Sequence, residues 1–457
     1  MFGAIKAQYN QITAKCADTL QRFDAFASRR NGVLLWMLAI FYKLMLDAMY
    51  IWVASPQYGY AGLIYMPMFY KYAAGMAMYF LIFASLPKDE NSVASVLLHI
   101  QFMYTVAPLL TFYSMANGSN KYMLMVFICL ILESLIVRYG SKNRTPVYIK
   151  GVKNYVTVLM WILIFVTITI PILYNGFAGA KAFDFEYIYE MRAKATYPPG
   201  FAYLFFWMGK AIIPFFAVYL LDKKKYLGAI AAIALQILLY IECGNKYLLF
   251  ILVPVIFIYY CAKTKHLIKL AYLGLSILFF AMIPAYLFDT ASGNALGVRS
   301  SFYVSVRAIF HPADNKFAMF ECFSQFPKLY FSQGLIGKML GLTNLYNGSE
   351  GQVVFAYNGG DFKSANLNTG YLGESYAQMG FVGMLLMSVL FAFVLRAIES
   401  YNSRKRFCVL TAVFAMFIIN LNDISLLTTL LSSGMAIVIL LVAAYFEKEP
   451  GDLRNGI

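Results

Sequence analysis

Long apolar runs recur along the whole chain, and they constrain its fold more than any other feature. Each run is long enough to cross about 30 Å of hydrocarbon as a helix. Backbone groups in lipid must be paired within the protein, so continuous apolar runs form helices, whereas a membrane barrel needs short alternating strands. The pattern predicts twelve spans, at residues 31–54, 61–86, 94–115, 122–138, 154–174, 201–221, 226–242, 247–262, 268–289, 372–397, 407–421 and 424–446.

Composition supports the same class of protein. Hydrophobic residues make up 61% of the chain and charged residues only 13%, which excludes an ordinary soluble domain. We therefore predict an all-α polytopic membrane protein with one transmembrane domain at 31–457. Ahead of it, residues 1–30 carry apolar side chains at helical spacing, which predicts an amphipathic helix on the inner membrane surface.

The basic residues predict the orientation. Loops on the cytoplasmic side of a membrane protein are enriched in Lys and Arg. With a cytoplasmic N-terminus, the three densest basic clusters all fall inside, and so do both termini. The formal charge of +15 then reports topology and attraction to anionic lipid, and we do not expect a nucleic-acid partner. These clusters are Arg138/Lys142/Arg144/Lys150/Lys153, Lys223-Lys224-Lys225 and Arg404-Lys405-Arg406.

Two predicted outer loops, 175–200 and 290–371, are longer than helix connections usually are. In the second, Gly297 to Phe310 is predicted to form a helix that ends at Pro312. Four residues recur every fourth position and would share one face: Arg299, Tyr303, Arg307 and His311. Arginine forks bind phosphate oxygens, so this basic stripe would suit a lipid-linked diphosphate. A stripe that simply meets anionic headgroups is the alternative.

The stretch from Gly359 to Gly380 runs from polar, Gly-rich loop into a predicted span, with Glu374 at its mouth. Scaffolded loops of this kind concentrate binding and chemistry. A carboxylate beside a desolvated cavity can accept a proton from a sugar hydroxyl. The predicted acid–base candidates are Glu374, Asp361 and His311, although a cap or an ion pair would equally explain either carboxylate. The predicted sugar contacts are Asn366, Asn368, Tyr303 and Tyr371.

Charged residues inside spans need partners, because an unpaired charge in lipid is costly. Lys43 and Asp47 are predicted to form a structural ion pair. Lys210 has no acid nearby in sequence and must meet one on another helix or line a watery cavity. Glu242 and Lys246 flank an outer helix end, where a structural and a functional role are both open. Lys246, Lys210 and Arg192 join the two stripe arginines as candidate diphosphate ligands.

Several classes of site are excluded by their motifs. The chain has no Walker loop, no GxGxxG after a strand, no GxSxG and no DxD pair. Its six cysteines show no spacing typical of zinc sites or disulfide frameworks. We therefore expect no metal and no cofactor.

Four pieces of the sequence resemble the bacterial oligosaccharide repeat-unit polymerases, the Wzy-type O-antigen and capsule polymerases. The resemblance covers roughly residues 190–398, and the loop arginines match by residue type and place instead of by a shared spacing. The matching pieces are Pro199-Gly200 with Tyr203, Trp207, Lys210 and Pro214; Gly244-Asn245-Lys246; Val306 to Ala313; and Asn368-Thr369-Gly370 through Glu374, Tyr376, Ala377 and Gly380.

The resemblance implies a fold like the C-type glycosyltransferases and a reaction at the outer face of the bacterial plasma membrane. Such enzymes transfer a growing chain from undecaprenyl diphosphate to a lipid-linked repeat unit, without a metal or a nucleotide. Implied partners are the lipid-linked oligosaccharide, membrane lipid, a chain-length regulator and a flippase. Two rival functions stay open at this point: an O-antigen ligase, and a lipid-oligosaccharide flippase, which the absence of an internal repeat disfavours.

Overall fold

The computed structural model describes residues 31–140, 146–177, 179–293, 296–333, 337, 339–362 and 364–446, and within these ranges the secondary structure is helical. The predicted amphipathic helix at 1–30 lies outside the described residues. The helices are α1 Gly32–Ala61, α2 Phe69–Ser85, α3 Val93–Met115, α4 Asn120–Tyr139, α5 Lys153–Asn175, α6 Phe185–Lys194, α7 Phe201–Asp222, α8 Tyr226–Cys243, α9 Lys246–Cys261, α10 Leu267–Ser292, α11 at 296–325, α12 Glu350–Tyr357, α13 Gly370–Ser400, α14 Phe407–Asn420, α15 Leu426–Leu430 and α16 Met435–Tyr445.

Nine helices of the described chain are long and apolar enough to cross a membrane, as expected for a polytopic membrane protein. They correspond to nine of the twelve predicted segments, with α15 and α16 counted together as one span, Leu426–Tyr445. The other three segments carry the shorter helices α2, α9 and α14. The polytopic helical class is therefore confirmed, and the count of twelve crossings stays a prediction.

Among the residues that the structure describes, four helices contain a π-helical stretch, and a proline follows each stretch by two residues. A proline lacks the backbone N–H, and its ring collides with the carbonyl four residues earlier. The wider π turn, with its i→i+5 hydrogen bonds, moves that carbonyl away and lets the helix continue. The pairs are Tyr50–Ala54 with Pro56, Phe102–Val106 with Pro108, Met208–Ile212 with Pro214 and Phe302–Phe310 with Pro312.

The last of these pairs corrects the prediction that Pro312 ends a helix. Helix α11 continues through it, from Leu296–Ser301 through the π-helical stretch to His311–Gln325. The carbonyl of Ala308, four residues before the proline, accepts a hydrogen bond of 3.0 Å from Asn422 Nδ2. A side-chain amide from the turn after α14 thus pairs with a carbonyl that the proline cannot satisfy.

Helix α13 was predicted as a single span, but its backbone breaks at Met379 and Gly380, both of which leave the helical region. The rings of Tyr371 and Phe391 lie 5.7 Å apart, although a straight helix would separate these positions by about 30 Å. Tyr376 and Phe381 likewise approach to 5.3 Å across the break. The two arms, 370–378 and 381–400, therefore fold back on each other as a helical hairpin.

Polar contacts pin the end of the bundle opposite this break. Lys269 forms an ion pair of 2.6 Å with Glu90, joining α10 to the connection between α2 and α3. Arg406, at the start of α14, donates a hydrogen bond of 2.6 Å to the hydroxyl of Tyr148.

The predicted Lys43–Asp47 ion pair is confirmed inside α1, where Thr111 also donates to Asp47.

Candidate functional site

The first arm of α13 begins against the short turn that joins α14 to α15. The Gly370 N–H donates to the carbonyl of Asp423, and the Tyr371 N–H donates to that of Leu421, each at 3.1 Å. A helix start leaves four N–H groups unpaired, and Thr369 supplies no side-chain cap for them. The two bonds to the turn satisfy two of these four groups. The turn 421–423 and the start of the arm therefore hold each other in place.

A buried lysine of α11 lies beneath this turn. Lys316 Nζ donates to Asn422 at both the backbone oxygen, 2.6 Å away, and Oδ1, 2.9 Å away, and also to the carbonyl of Pro312 at 2.9 Å. Burial lowers the pKa of Lys316, while the charge of Asp423 raises it. The arm packs closely against this lysine at Gly370. A Cβ atom added there would lie only 2.6 Å from Lys316 Cε.

Asp423 is the carboxylate of this cluster. Burial raises the pKa of Asp423, and the charges of Lys316 and Arg307 together with a hydrogen bond from Asn368 lower it. Its Oδ1 atom is buried and has no hydrogen-bond partner among the described residues. This oxygen can therefore accept a hydrogen bond from one further donor. Such a bond would be favourable, because an unpaired buried acceptor is costly.

The predicted basic stripe lies on α11 beside Asp423. The structure exposes Arg299, Tyr303 and Arg307, leaves His311 half-buried, and buries the intervening Ser305, Val306, Ile309 and Phe310. Burial and the nearby charge of Arg307 lower the pKa of His311, so this imidazole is neutral near pH 7. The stripe therefore presents two exposed cations and a neutral imidazole beside the Asp423 cluster.

A cavity of about 200 Å³ opens at the ends of α6, α7 and α8. Its lining includes the exposed Arg192. Another lining residue, Phe206, lies under Lys210, whose Nζ is 4.5 Å from the centre of that ring and 5.3 Å from that of Tyr247. Tyr247 in turn accepts a hydrogen bond of 2.6 Å from Asn420, three residues before Asp423. Its full lining is Arg192, Ala195, Tyr197, Phe201, Ala202, Phe205, Phe206, Cys243 and Asn245.

This chain of contacts joins the two groups of predicted residues. Arg192 and Lys210 belong to the cavity side, and Lys246 is half-buried at the start of α9, directly before Tyr247. Arg307, His311 and Asn368 belong to the Asp423 side. Lys210 meets aromatic rings instead of the carboxylate or watery cavity that its sequence position predicted.

Three predicted residues lie apart from the Asp423 cluster, and a fourth, Tyr371, contacts its turn through the backbone and not through the side chain. Glu374 is buried inside the first arm of α13, where it accepts a hydrogen bond of 2.9 Å from Gln378, so it does not stand at a helix mouth beside the arginines. Tyr371 is fully buried, which removes its ring from contact with a sugar. Asp361 and Asn366 are exposed in the 358–369 loop, where Asn366 accepts from Ser349.

Three residues of the cluster were not predicted: Lys316, Asn422 and Asp423. A signal for two of them exists, because polar residues at 420, 422 and 423 interrupt an otherwise apolar pair of spans. Lys316 gave no such signal, since a lysine in a polar loop helix is ordinarily solvated.

The described residues contain no group of three or more His, Cys, Asp or Glu side chains that could hold a metal ion. Comparison with models of known families finds no match, and comparisons with curated proteins and with solved structures find none either.

Proposed function

We propose that this protein is a membrane glycosyltransferase that polymerises lipid-linked oligosaccharide repeat units into a surface polysaccharide. The proposal includes twelve membrane crossings, an arrangement like that of C-type glycosyltransferases, both termini in the cytoplasm and a site on the outer face of the plasma membrane. It draws on the sequence resemblance at 190–398 and on the Asp423 cluster.

One observation carries the proposal: a half-buried carboxylate, one of whose oxygens is buried and unpartnered among the described residues, lies beside an exposed arginine at a break in the helical bundle. Asp423 Oδ1 has room for one donor, and Arg307 interacts electrostatically with the same carboxylate. Helices interrupted within a membrane bundle commonly surround ligand sites, where irregular backbone lines a cavity. A base and a cation both assist glycosyl transfer from a diphosphate, because one accepts the proton of the attacking hydroxyl and the other neutralises the leaving group.

In the proposed reaction, a hydroxyl of the acceptor sugar donates its proton to Asp423. The hydroxyl oxygen forms a bond to the anomeric carbon of the donor chain while the bond from that carbon to the diphosphate oxygen breaks. The lipid diphosphate leaves with the bonding electrons, and Arg307 and Arg299 neutralise the charge that develops on it. Cations placed in advance beside a developing charge are commonly the largest catalytic term.

A purified-protein assay tests the proposal directly. The protein in detergent is given a defined undecaprenyl-diphosphate-linked repeat unit, and the products are separated by length. We expect a ladder of longer lipid-linked chains. Arg307→Ala should abolish the ladder, whereas Arg404→Ala, an exposed arginine at the opposite end of α14, should leave it intact.

Other outcomes favour the rival functions. Transfer of preformed chains to a lipid A core without lengthening would identify a ligase. Movement of the lipid-linked repeat across a vesicle membrane without any new glycosidic bond would identify a transporter. A ladder unchanged by Arg307→Ala would remove the arginine from the proposed site.

A further inference from the structure

Three buried side chains on three helices form a closed hydrogen-bond network inside the bundle. The hydroxyl of Tyr371 on α13 donates to Glu133 Oε1 on α4 at 2.8 Å. Gln101 Nε2 on α3 donates to Glu133 Oε2 at 2.7 Å and to the hydroxyl oxygen of Tyr371 at 2.5 Å. All three side chains are completely buried.

This network restrains the position of Tyr371. Removal of the tyrosine hydroxyl would leave one oxygen of a buried carboxylate without its donor, and such an orphaned group destabilises a fold more than a simple lost contact. The ring is also packed against Phe391 of the second arm, at 5.7 Å between centres. Tyr371 is therefore fixed from three helices: α3, α4 and the second arm of α13.

The backbone of the same residue holds the turn that carries Asp423. The N–H of Tyr371 binds the carbonyl of Leu421, and the N–H of the preceding Gly370 binds the carbonyl of Asp423. Tyr371 thus connects the buried network on its side-chain side with the turn on its backbone side. A shift of the ring that carries its backbone along therefore moves the two N–H groups that hold the turn.

We propose that Glu133, Gln101 and Tyr371 are positioning residues that set the distance of Asp423 from the cations of α11. The inference rests on the proposed function for the catalytic role of Asp423, but its structural part does not. The charged and titratable groups that face this carboxylate are Lys316 and Arg307 on α11 and Tyr247 on α9. The proton affinity of a carboxylate depends steeply on its distance from such cations.

Hydrogen exchange tests the structural part without any assay of activity. Tyr371→Phe keeps the ring and removes only the hydroxyl. We expect the rate of hydrogen exchange at the amides of 370 and 371 to rise roughly ten-fold. This is the size of effect expected when a buried group loses its hydrogen-bond partner. Tyr79→Phe is the matched control, because its buried hydroxyl donates to Ala39 O at 2.7 Å within another pair of helices.

The pH dependence of polymerisation tests the functional part. A turn that moves away from Lys316 and Arg307 loses their stabilisation of ionised Asp423. The acid limb of the rate profile should therefore move to higher pH in Tyr371→Phe and stay in place in Tyr79→Phe. Glu133→Gln keeps one acceptor oxygen for Tyr371 and should retain more activity than Glu133→Ala.

Two results would overturn the inference: unchanged exchange at 370–371 in Tyr371→Phe, or an equal rise in Tyr79→Phe, which would mean general loosening. If the acid limb of the rate profile does not move in Tyr371→Phe, only the functional part of the inference is contradicted. Asp423→Asn separates the two proposals, because it tests the base without touching the network. If that variant stays active while Tyr371→Phe alters exchange, the proposed base is wrong and the positioning contact stands.

Discussion

Asp423 lies in one turn and Lys316 lies beneath it, the carboxylate half-buried and the ammonium fully buried among oxygen acceptors. The carboxylate keeps one oxygen unpartnered, while the ammonium uses three acceptors. Such an arrangement restrains the cation and leaves the anion able to accept a proton. At the scale of single residues, this asymmetry is what distinguishes a candidate base from a structural ion pair such as Lys43–Asp47.

The substitution Asp423→Asn removes the proposed base with little change in shape. We expect the polymerisation rate to fall by about 100-fold or more, the usual range for a lost general base. The wild-type rate should itself fall as pH drops, at a higher pH than for an ordinary aspartate, because burial raises the pKa of Asp423. Steady-state rates of ladder formation measure both effects. Asp361→Asn, at an exposed loop position, should behave like wild type, and equal losses in the two variants would contradict the assignment.

Asp314 on α11 allows a stability prediction. Burial, with a further effect of the Glu321 charge, raises the pKa of Asp314 from 3.8 to about 7. Because the folded pKa exceeds the unfolded one, the ionised carboxyl destabilises the fold, fully above pH 7 and not at all below about pH 4. Asp314→Asn should therefore raise the Tm at about pH 8 and leave it unchanged near pH 4. Thermal unfolding in detergent at both pH values is the measurement, and an equal change at both would contradict the cause.

Sequence reasoning named several residues around the proposed site but not the carboxylate that the proposal places there, Asp423. Arg307, His311 and Asn368 were found because each stands in a polar segment with a visible pattern. Asp423 was missed because the residues that define its surroundings are brought together only by tertiary folding. Lys316 and Asn422, for example, are 106 positions apart in the chain.

At the scale of elements, the first arm of α13 depends on a glycine at its start. Gly370 has φ of +62°, and an added Cβ would lie 2.5 Å from the backbone oxygen of Asn422. Gly370→Ala should therefore suffer both left-handed strain, about 1–2 kcal/mol, and a collision with the turn. Gly359→Ala is the control, since its φ of +87° brings the same strain while nothing lies within 4 Å.

We expect the decrease in Tm to be several-fold larger for Gly370→Ala than for Gly359→Ala. Gly370→Ala should also abolish ladder formation. Differential scanning measurements on the purified variants give the first result, and the polymerisation assay gives the second. Equal shifts in the two variants would show that the turn yields to the added methyl group and does not fix the arm.

The existence of the helices was predictable because apolar runs in lipid leave the backbone no other pairing. Their internal breaks were harder to predict. The prolines at 56, 108, 214 and 312 are visible in the sequence, but a proline can kink a helix, end it or follow a π turn, and neighbouring helices decide among these. The hairpin in α13 was missed because the long apolar second arm made the whole segment resemble one span.

At the scale of the whole molecule, two groups of polar contacts lie toward opposite ends of the helical bundle. One end holds the Asp423 cluster, the basic stripe of α11 and the cavity lined by Arg192. The other end holds the Glu90–Lys269 ion pair and the Arg406–Tyr148 contact. Arg406 belongs to one of the basic clusters of the sequence, so the charge rule predicts that this second end faces the cytoplasm.

This orientation predicts which exposed positions a membrane-impermeant thiol reagent can reach in intact cells. Single cysteines are placed at Asp361, near the Asp423 end, and at Lys224, in the opposite basic turn, in a variant without the six native cysteines. Both positions are exposed, so accessibility depends on the side of the membrane alone. We expect the cysteine at 361 to be labelled directly and the cysteine at 224 only after the membrane is permeabilised. Labelling in the reverse order would place the Asp423 cluster on the cytoplasmic side of the membrane. Repeat units on the outer face could not be polymerised there, so this result would exclude the proposed function.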